Sequence, residues 1–218
     1  MQAITTGLIA LLIAVASAAT ASAHRLDEYL QALRVDVRAD GIVLELDLTP
    51  GTGLAADVLG TLDPNADGVI DSSEADSYVA GVMRSLATSV DDRLVALDLV
   101  SRTIPSTDAV RAGRGVINLV AKVEVRQSQG PHRLRMSNGY RPDVSAYLAN
   151  ALRPDSRAIT IAAQSRDPRQ QTLTIDYVVD ATPVARASVW AAIAVVLLGC
   201  SAYWRVSPAW SPWSELKH

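Results

Sequence analysis

The chain has 218 residues, with 20 Lys+Arg against 23 Asp+Glu, 49% hydrophobic residues and one Cys. The apolar fraction excludes a disordered chain, and the formal net charge of −3 argues against a nucleic-acid binder, whose footprint is a basic patch. The single Cys excludes an intramolecular disulfide framework and a Cys-based structural zinc site. All four Trp (Trp190, Trp204, Trp210, Trp213) stand toward the C-terminus and there is no Phe, so the middle of the chain must build its core from Val, Leu, Ile, Ala and Tyr.

In chain order, Leu8–Val15 is a short apolar run followed by small residues that end in Ala21-Ser22-Ala23. This reads as a secretory signal over residues 1–23 with an A-x-A cleavage site, although Met1–Gly7 carries no Lys or Arg. Cleavage there leaves His24 as the first mature residue and residues 24–182 as the exported domain, which is net acidic. Leu33, Val35 and Val37 alternate with polar residues, Asp40-Gly41 is a signal for a two-residue turn of type I′, and Ile42, Leu44, Leu46 and Leu48 alternate again: a hairpin with one buried face. Leu54, Val58, Leu59 and Leu62 then recur at helical spacing, and after a polar loop so do Val79, Val82, Met83 and Leu86, which predicts a helix–loop–helix insertion at 54–86.

Strand character returns at 93–99, 116–125, 132–136, 158–163 and 172–179, with 144–152 readable as strand or short helix. About seven strands separated by Gly, Pro and Asp clusters give the expected fold: mainly β, an antiparallel immunoglobulin-like sandwich with the helical insertion. Beyond it, residues 187–204 are apolar and uncharged, flanked by Arg186 and Arg205 and by aromatic residues at both ends. That pattern predicts one C-terminal transmembrane helix, with residues 205–218 as a short cytoplasmic tail. Cys200 reads as an inert small residue within it.

The most specific motif is the loop Asp63-Pro64-Asn65-Ala66-Asp67-Gly68-Val69-Ile70-Asp71-Ser72-Ser73-Glu74. Four carboxylates in twelve residues repel one another unless a cation stands among them, and calcium, a hard ion, takes six to eight oxygens. The loop resembles an EF-hand, and the resemblance assigns the calcium ligands: side-chain oxygens of Asp63, Asn65 and Asp67, the carbonyl of Val69, Asp71 through a water, and both oxygens of Glu74. Gly68 holds the sharp turn and Ile70 anchors the loop to the core. No second such loop is present in the sequence, which favours a structural ion over a sensing one.

Two histidines are the remaining metal candidates. An N-terminal amine beside the His24 imidazole suits copper or nickel, and His132 could add a further nitrogen. Catalysis finds no G-x-S-x-G or H-E-x-x-H motif, and a Ser–His–Asp triad in the exported part would have to use His24 or His132. Arg133, Arg135, Arg141 and Arg153, interleaved with Asn138, Tyr140, Tyr147 and Asn150, read as loop and strand-face decoration, with an anion or partner surface as the alternative. The opening Ala23-His24-Arg25-Leu26-Asp27-Glu28-Tyr29, the hairpin after it and Gly130-Pro131-His132 resemble the exported N-terminal domains of nickel/cobalt transporter families of the hydrogenase/urease accessory type. Those families carry a multi-helix membrane portion where this chain has one expected anchor, so the resemblance does not extend to transport by this chain alone.

The sequence therefore predicts a calcium-binding, single-pass membrane protein whose exported (periplasmic or cell-surface) domain serves as a protein-interaction module. It predicts no enzymatic activity and no nucleic-acid partner. The alternative is an accessory protein in nickel, cobalt or copper handling that uses His24.

Overall fold

The structure, a computed structural model, describes residues 26–180. The expected signal peptide at 1–23, His24, the expected transmembrane helix at 187–204 and the tail lie outside the described residues. Among those described, no helix is long and apolar enough to cross a membrane.

The domain is mainly β. Ten strands form two five-stranded sheets among the described residues. The strands are β1 (Tyr29–Arg38), β2 (Gly41–Pro50), β3 (Leu86–Val90), β4 (Arg93–Val95), β5 (Asp98–Thr103), β6 (Ile117–Val123), β7 (Gly130–Asn138), β8 (Ser145–Ala151), β9 (Ile159–Arg166) and β10 (Thr172–Val179). The first sheet runs β5-β6-β2-β1-β8 and the second β4-β3-β7-β10-β9. Three helices, α1 (Ala55–Leu62), α2 (Ser72–Arg84) and α3 (Thr107–Arg111), stand between the strands in sequence.

The period-2 pattern of the first hairpin sets its register. Leu33 opposes Leu46 and Val35 opposes Leu44, and all four are buried. Leu119 of β6 continues the same face. From the other sheet come Leu134 and Met136 of β7 and Leu173, Ile175 and Tyr177 of β10, and these residues join the first set in one buried cluster. The helices add Val58, Leu62, Tyr78, Val79 and Val82 to that cluster. Each fully buried Leu, Ile or Val contributes roughly 1.5–3 kcal/mol, so the helices are held chiefly by their apolar faces.

Several expectations are corrected. The pairing is not wholly antiparallel: β1 and β8 run parallel from Tyr29↔Ser145 to Val35↔Ala151. The first hairpin turns one residue earlier than expected, on Ala39-Asp40, because Gly41 already pairs with Arg38. Gly41, at φ +155°, is required there by a close approach, since a Cβ would stand 2.6 Å from the carbonyl oxygen of Val123. The paired positive φ values that a type I′ turn needs occur instead at Asp91 (50°) and Asp92 (63°), between β3 and β4.

The strand expected at 93–99 divides into β4 and β5, which belong to different sheets. Helix α2 ends at Arg84, so Leu86 opens β3 instead of closing a helix. Residues 144–152 resolve as strand β8, and α3 has no counterpart among the expected elements.

Candidate metal centre

The acidic loop spans the interval between α1 and α2. Helix α1 ends where Asp63 leaves helical geometry (φ −133°, ψ 71°), its N–H still bonded to the Leu59 carbonyl at 2.7 Å. Pro64 follows at once and cannot continue the ladder. Helix α2 begins at an N-cap, Asp71, whose Oδ1 accepts from the Glu74 N–H at 2.9 Å while Glu74 Oε2 accepts from the Asp71 N–H at 3.0 Å. This reciprocal capping box satisfies two orphan amides and places carboxylates at the positive end of the helix.

Between the helices the side chains organise the backbone. Asp63 Oδ2 accepts from Gly68 N–H at 3.0 Å, Asn65 Oδ1 from Asp67 N–H at 2.9 Å, and Asp67 Oδ1 from Val69 N–H at 2.8 Å. Each short polar side chain thus folds back on an amide two to five residues on, as Asx residues do in tight turns. The curl requires left-handed backbone at Ala66 (φ 58°) and at Gly68 (φ 83°), and only the second is a glycine. The loop is buttressed from outside itself: the buried Thr107 hydroxyl at the start of α3 donates to the Gly68 carbonyl at 3.0 Å. Ile70 packs against the core as expected.

The electrostatics are one-sided. Asp63 is 5% exposed and Glu74 9%, yet none of Asp63, Asp67, Asp71 and Glu74 makes an ion pair among the described residues. Asp63 Oδ1 is buried and has no hydrogen-bond partner, which for an anionic oxygen is an expensive arrangement. Among the described residues, no three or more His, Cys, Asp or Glu side chains come together as a group that could hold a metal ion. Glu74 and Asp71 are occupied with each other's amides, and the expected set also relies on Asn65 and the Val69 carbonyl, which are not acidic groups.

The helix pair is tied to the first sheet and to the β7–β8 connection by three side-chain contacts. The Tyr78 hydroxyl of α2 shares a hydrogen bond with that of Tyr29 on β1, and Tyr140 packs edge-on against both rings. Burial raises the pKa of both Tyr29 and Tyr78. Arg141 pairs with Asp57 of α1, and Arg102 of β5 with Asp76 of α2.

His132 stands on β7, far in sequence from the loop, and is fully engaged. Its Nδ1 lies 2.8 Å from Asp91 Oδ2 and its Nε2 2.8 Å from the carbonyl oxygen of Ser128. Both neighbours are acceptors, an arrangement that favours the doubly protonated ring. The Asp91 bond, followed by the Ser128 carbonyl, raises the His132 pKa against the opposing effect of burial. Asp91 is lowered in turn, first by the Arg133 N–H and then by His132. The ring lies tilted over Tyr177, whose phenol is pushed up to about 12 by burial.

The expected ligand His132 thus has a hydrogen-bond partner at each ring nitrogen. The Ser128 hydroxyl is 3.4 Å from Nε2, so Ser128, His132 and Asp91 have the composition of a catalytic triad. Nε2 is closer to the Ser128 carbonyl oxygen, at 2.8 Å, than to the Ser128 hydroxyl. These partnerships, 41 and 4 residues apart, carry no spacing signal that a sequence reading could use. Elsewhere Arg133 is paired with Asp176, while Asn138 is buried and donates to Gln31. No protein-family model matches the chain, and no curated protein matches it either.

Proposed function

We propose that the chain is an exported, membrane-anchored domain that binds one structural calcium ion in the loop 63–74 and serves, without catalysis, as a protein-interaction module. The observation that carries the reading is the buried, unpartnered Oδ1 of Asp63 in a loop whose carboxylates have no cationic partner among the described residues. The residues fit a calcium ion: hard oxygen donors, left-handed backbone at Ala66 and Gly68, and a rigid helix on each side.

In this reading Asp63, Asn65 and Asp67 supply side-chain oxygens, Val69 its carbonyl, Asp71 acts through water, and Glu74 leaves the Asp71 amide to ligate with both oxygens. The ion supplies positive charge that these groups lack. It stabilises the folded domain by mass action because the unfolded chain does not hold the donors together. The fold reading that goes with it is an immunoglobulin-like sandwich, supported by the single buried cluster to which both sheets contribute. Export and anchoring rest on the sequence patterns at 1–23 and 187–204.

The test is a calorimetric calcium titration of the full-length protein in detergent beside the variant carrying Asp63→Ala and Glu74→Ala. One-to-one binding that vanishes in the variant supports the reading, and no binding at millimolar calcium overturns it. The alternative, transition-metal handling through His24, draws no support from His132, whose ring nitrogens are both engaged by Asp91 and Ser128.

A further inference from the structure

We propose that the cavity lined by the β3–β4 hairpin and the β6–β7 connection binds a small hydroxy acid, held through its carboxylate by Arg93 and Arg126 and through its hydroxyl by Gln127 and Tyr177. Three buried side-chain oxygens among the described residues lack a hydrogen-bond partner: Asp63 Oδ1, Gln127 Oε1 and Tyr177 Oη. The first belongs to the acidic loop. The other two belong to residues far apart in sequence that line this one cavity. Buried polar atoms are rarely left unpaired, and two of them on residues around one hollow point to a ligand that pairs both.

The cavity measures about 350 Å³, within the range of small-molecule sites. Its lining passes from exposed residues, Arg93 and Arg126, to buried ones, Val90 and Tyr177. The Gln127 amide is fixed at its other end, where Nε2 donates to the Arg38 carbonyl at 2.7 Å. That bond leaves Oε1 as the unmet end, and an amide oxygen only accepts. The Tyr177 hydroxyl can donate or accept. His132 and Asp91 also line the cavity, but they are paired with each other, and His132 with the Ser128 carbonyl as well.

Charge and hydrogen bonding select the ligand. Arg93 and Arg126 belong to none of the ion pairs among the described residues, and Asp91 is the one carboxylate in the lining. Guanidinium groups take a carboxylate in charge-assisted pairs. A carboxylate has no proton to give, so alone it leaves Gln127 Oε1 unmet. An ammonium would meet that oxygen but would bring a further positive charge beside two arginines. A hydroxyl donates to Gln127 Oε1 and accepts from Tyr177 Oη without adding charge. Val90, Val95 and Val125 give the wall apolar surface for a short aliphatic chain.

The site goes beyond the calcium reading and is independent of it, since no residue of the loop 63–74 lines the cavity. The experiment is a calorimetric titration of the full-length protein in detergent, at constant free calcium, with racemic lactate and racemic malate. Propionate and succinate, which lack the hydroxyl, and inorganic phosphate are the comparisons. The proposal expects one-to-one binding of lactate or malate, with the matching acid without the hydroxyl and phosphate each weaker by about tenfold or more. Arg93→Gln with Arg126→Gln should weaken binding by about tenfold or more. Tyr177→Phe should weaken it several-fold while leaving the melting temperature of the ligand-free protein unchanged or higher, because it removes a buried hydroxyl that has no partner. Any of four results overturns the proposal. These are no binding of either hydroxy acid at millimolar concentration, equal binding of the comparison acids or phosphate, binding indifferent to the arginine or tyrosine variants, and a lower melting temperature for ligand-free Tyr177→Phe. The last would mean that the hydroxyl already has a partner and that ordered water alone fills the cavity.

Discussion

The loop 63–74 and the turn at Asp91 both gather acidic side chains against backbone amides, and they resolve their charge in opposite ways. Asp91 takes the Arg133 N–H with one oxygen and the His132 ring with the other, so its charge has partners within the protein. Asp63, Asp67, Asp71 and Glu74 take only neutral amides, and Asp63 keeps a buried oxygen with no partner. A carboxylate that the fold already neutralises is a structural part. The loop carboxylates are held in place without a cationic partner among the described residues. The same contrast underlies the proposal of calcium at the loop, since the ring nitrogens of His132 already have partners.

The largest expected effect breaks the comparison if it fails. At a hundredfold excess over Kd, calcium should add roughly 2.7 kcal/mol to the stability of the domain, which corresponds to a rise in melting temperature of about 5–10 °C for a domain of this size. Asp63→Ala should abolish the rise. Asp67→Asn is sharper still, since it keeps the Oδ1 acceptor for the Val69 N–H and removes one charge. It should lower stability in calcium and leave it unchanged or slightly raised in chelator, where the repulsion among the loop's carboxylates is unrelieved. Loss of stability in both conditions would mean that the loop's charges are balanced without an ion.

Next in size are the contacts that hold the loop in shape. Thr107→Val keeps the buried shape and removes the donor to the Gly68 carbonyl. It should cost about 1 kcal/mol in denaturant unfolding and weaken calcium binding as well; an unchanged calcium affinity would show that α3 only abuts the loop. Ala66→Gly acts in the other direction. Ala66 is held at φ 58°, so glycine there should stabilise the domain by about 0.5–1 kcal/mol, and destabilisation would contradict the left-handed conformation.

These residues also show where sequence reading works and where it stops. The loop's shape is legible because its determinants are contiguous: the short polar side chains that fold onto its amides, and Gly68 at the tight turn, lie within twelve residues. The first hairpin was legible because period-2 alternation fixes which face is buried, but its turn was displaced by one residue because Gly41 is needed for clearance from Val123, a residue on another strand. The parallel β1–β8 pairing joins segments more than a hundred residues apart and leaves no local trace. The division of 93–103 between two sheets is a tertiary choice, and α3 is too short for helical periodicity to register. Asp91 and His132 belong to the same class: each is ordinary in its own stretch, and only the β3–β7 pairing brings them together.

The smallest effect tests the other half of the comparison. The His132 pKa is raised in the folded domain, so its contribution is fully present below the unfolded value near 6.5 and lost as pH rises through the folded value. Asp91 is lowered, so its contribution is present above the ordinary carboxylate range and lost as pH falls. The pair is therefore at full strength between about pH 4 and 6.5 and weakens above that window. Asp91 is half exposed, which limits the gain to about 1 kcal/mol or less. Denaturant unfolding at pH 5.5 and at pH 8 should show the wild type losing stability at the higher pH, with His132→Gln removing most of that difference. Proton resonances of the His132 ring should titrate above 6.5 and stay in place when stoichiometric nickel is added at pH 6. A nickel shift at His132 would show that the Asp91 and Ser128 bonds yield to a metal, and the contrast between the two acidic sites would fail.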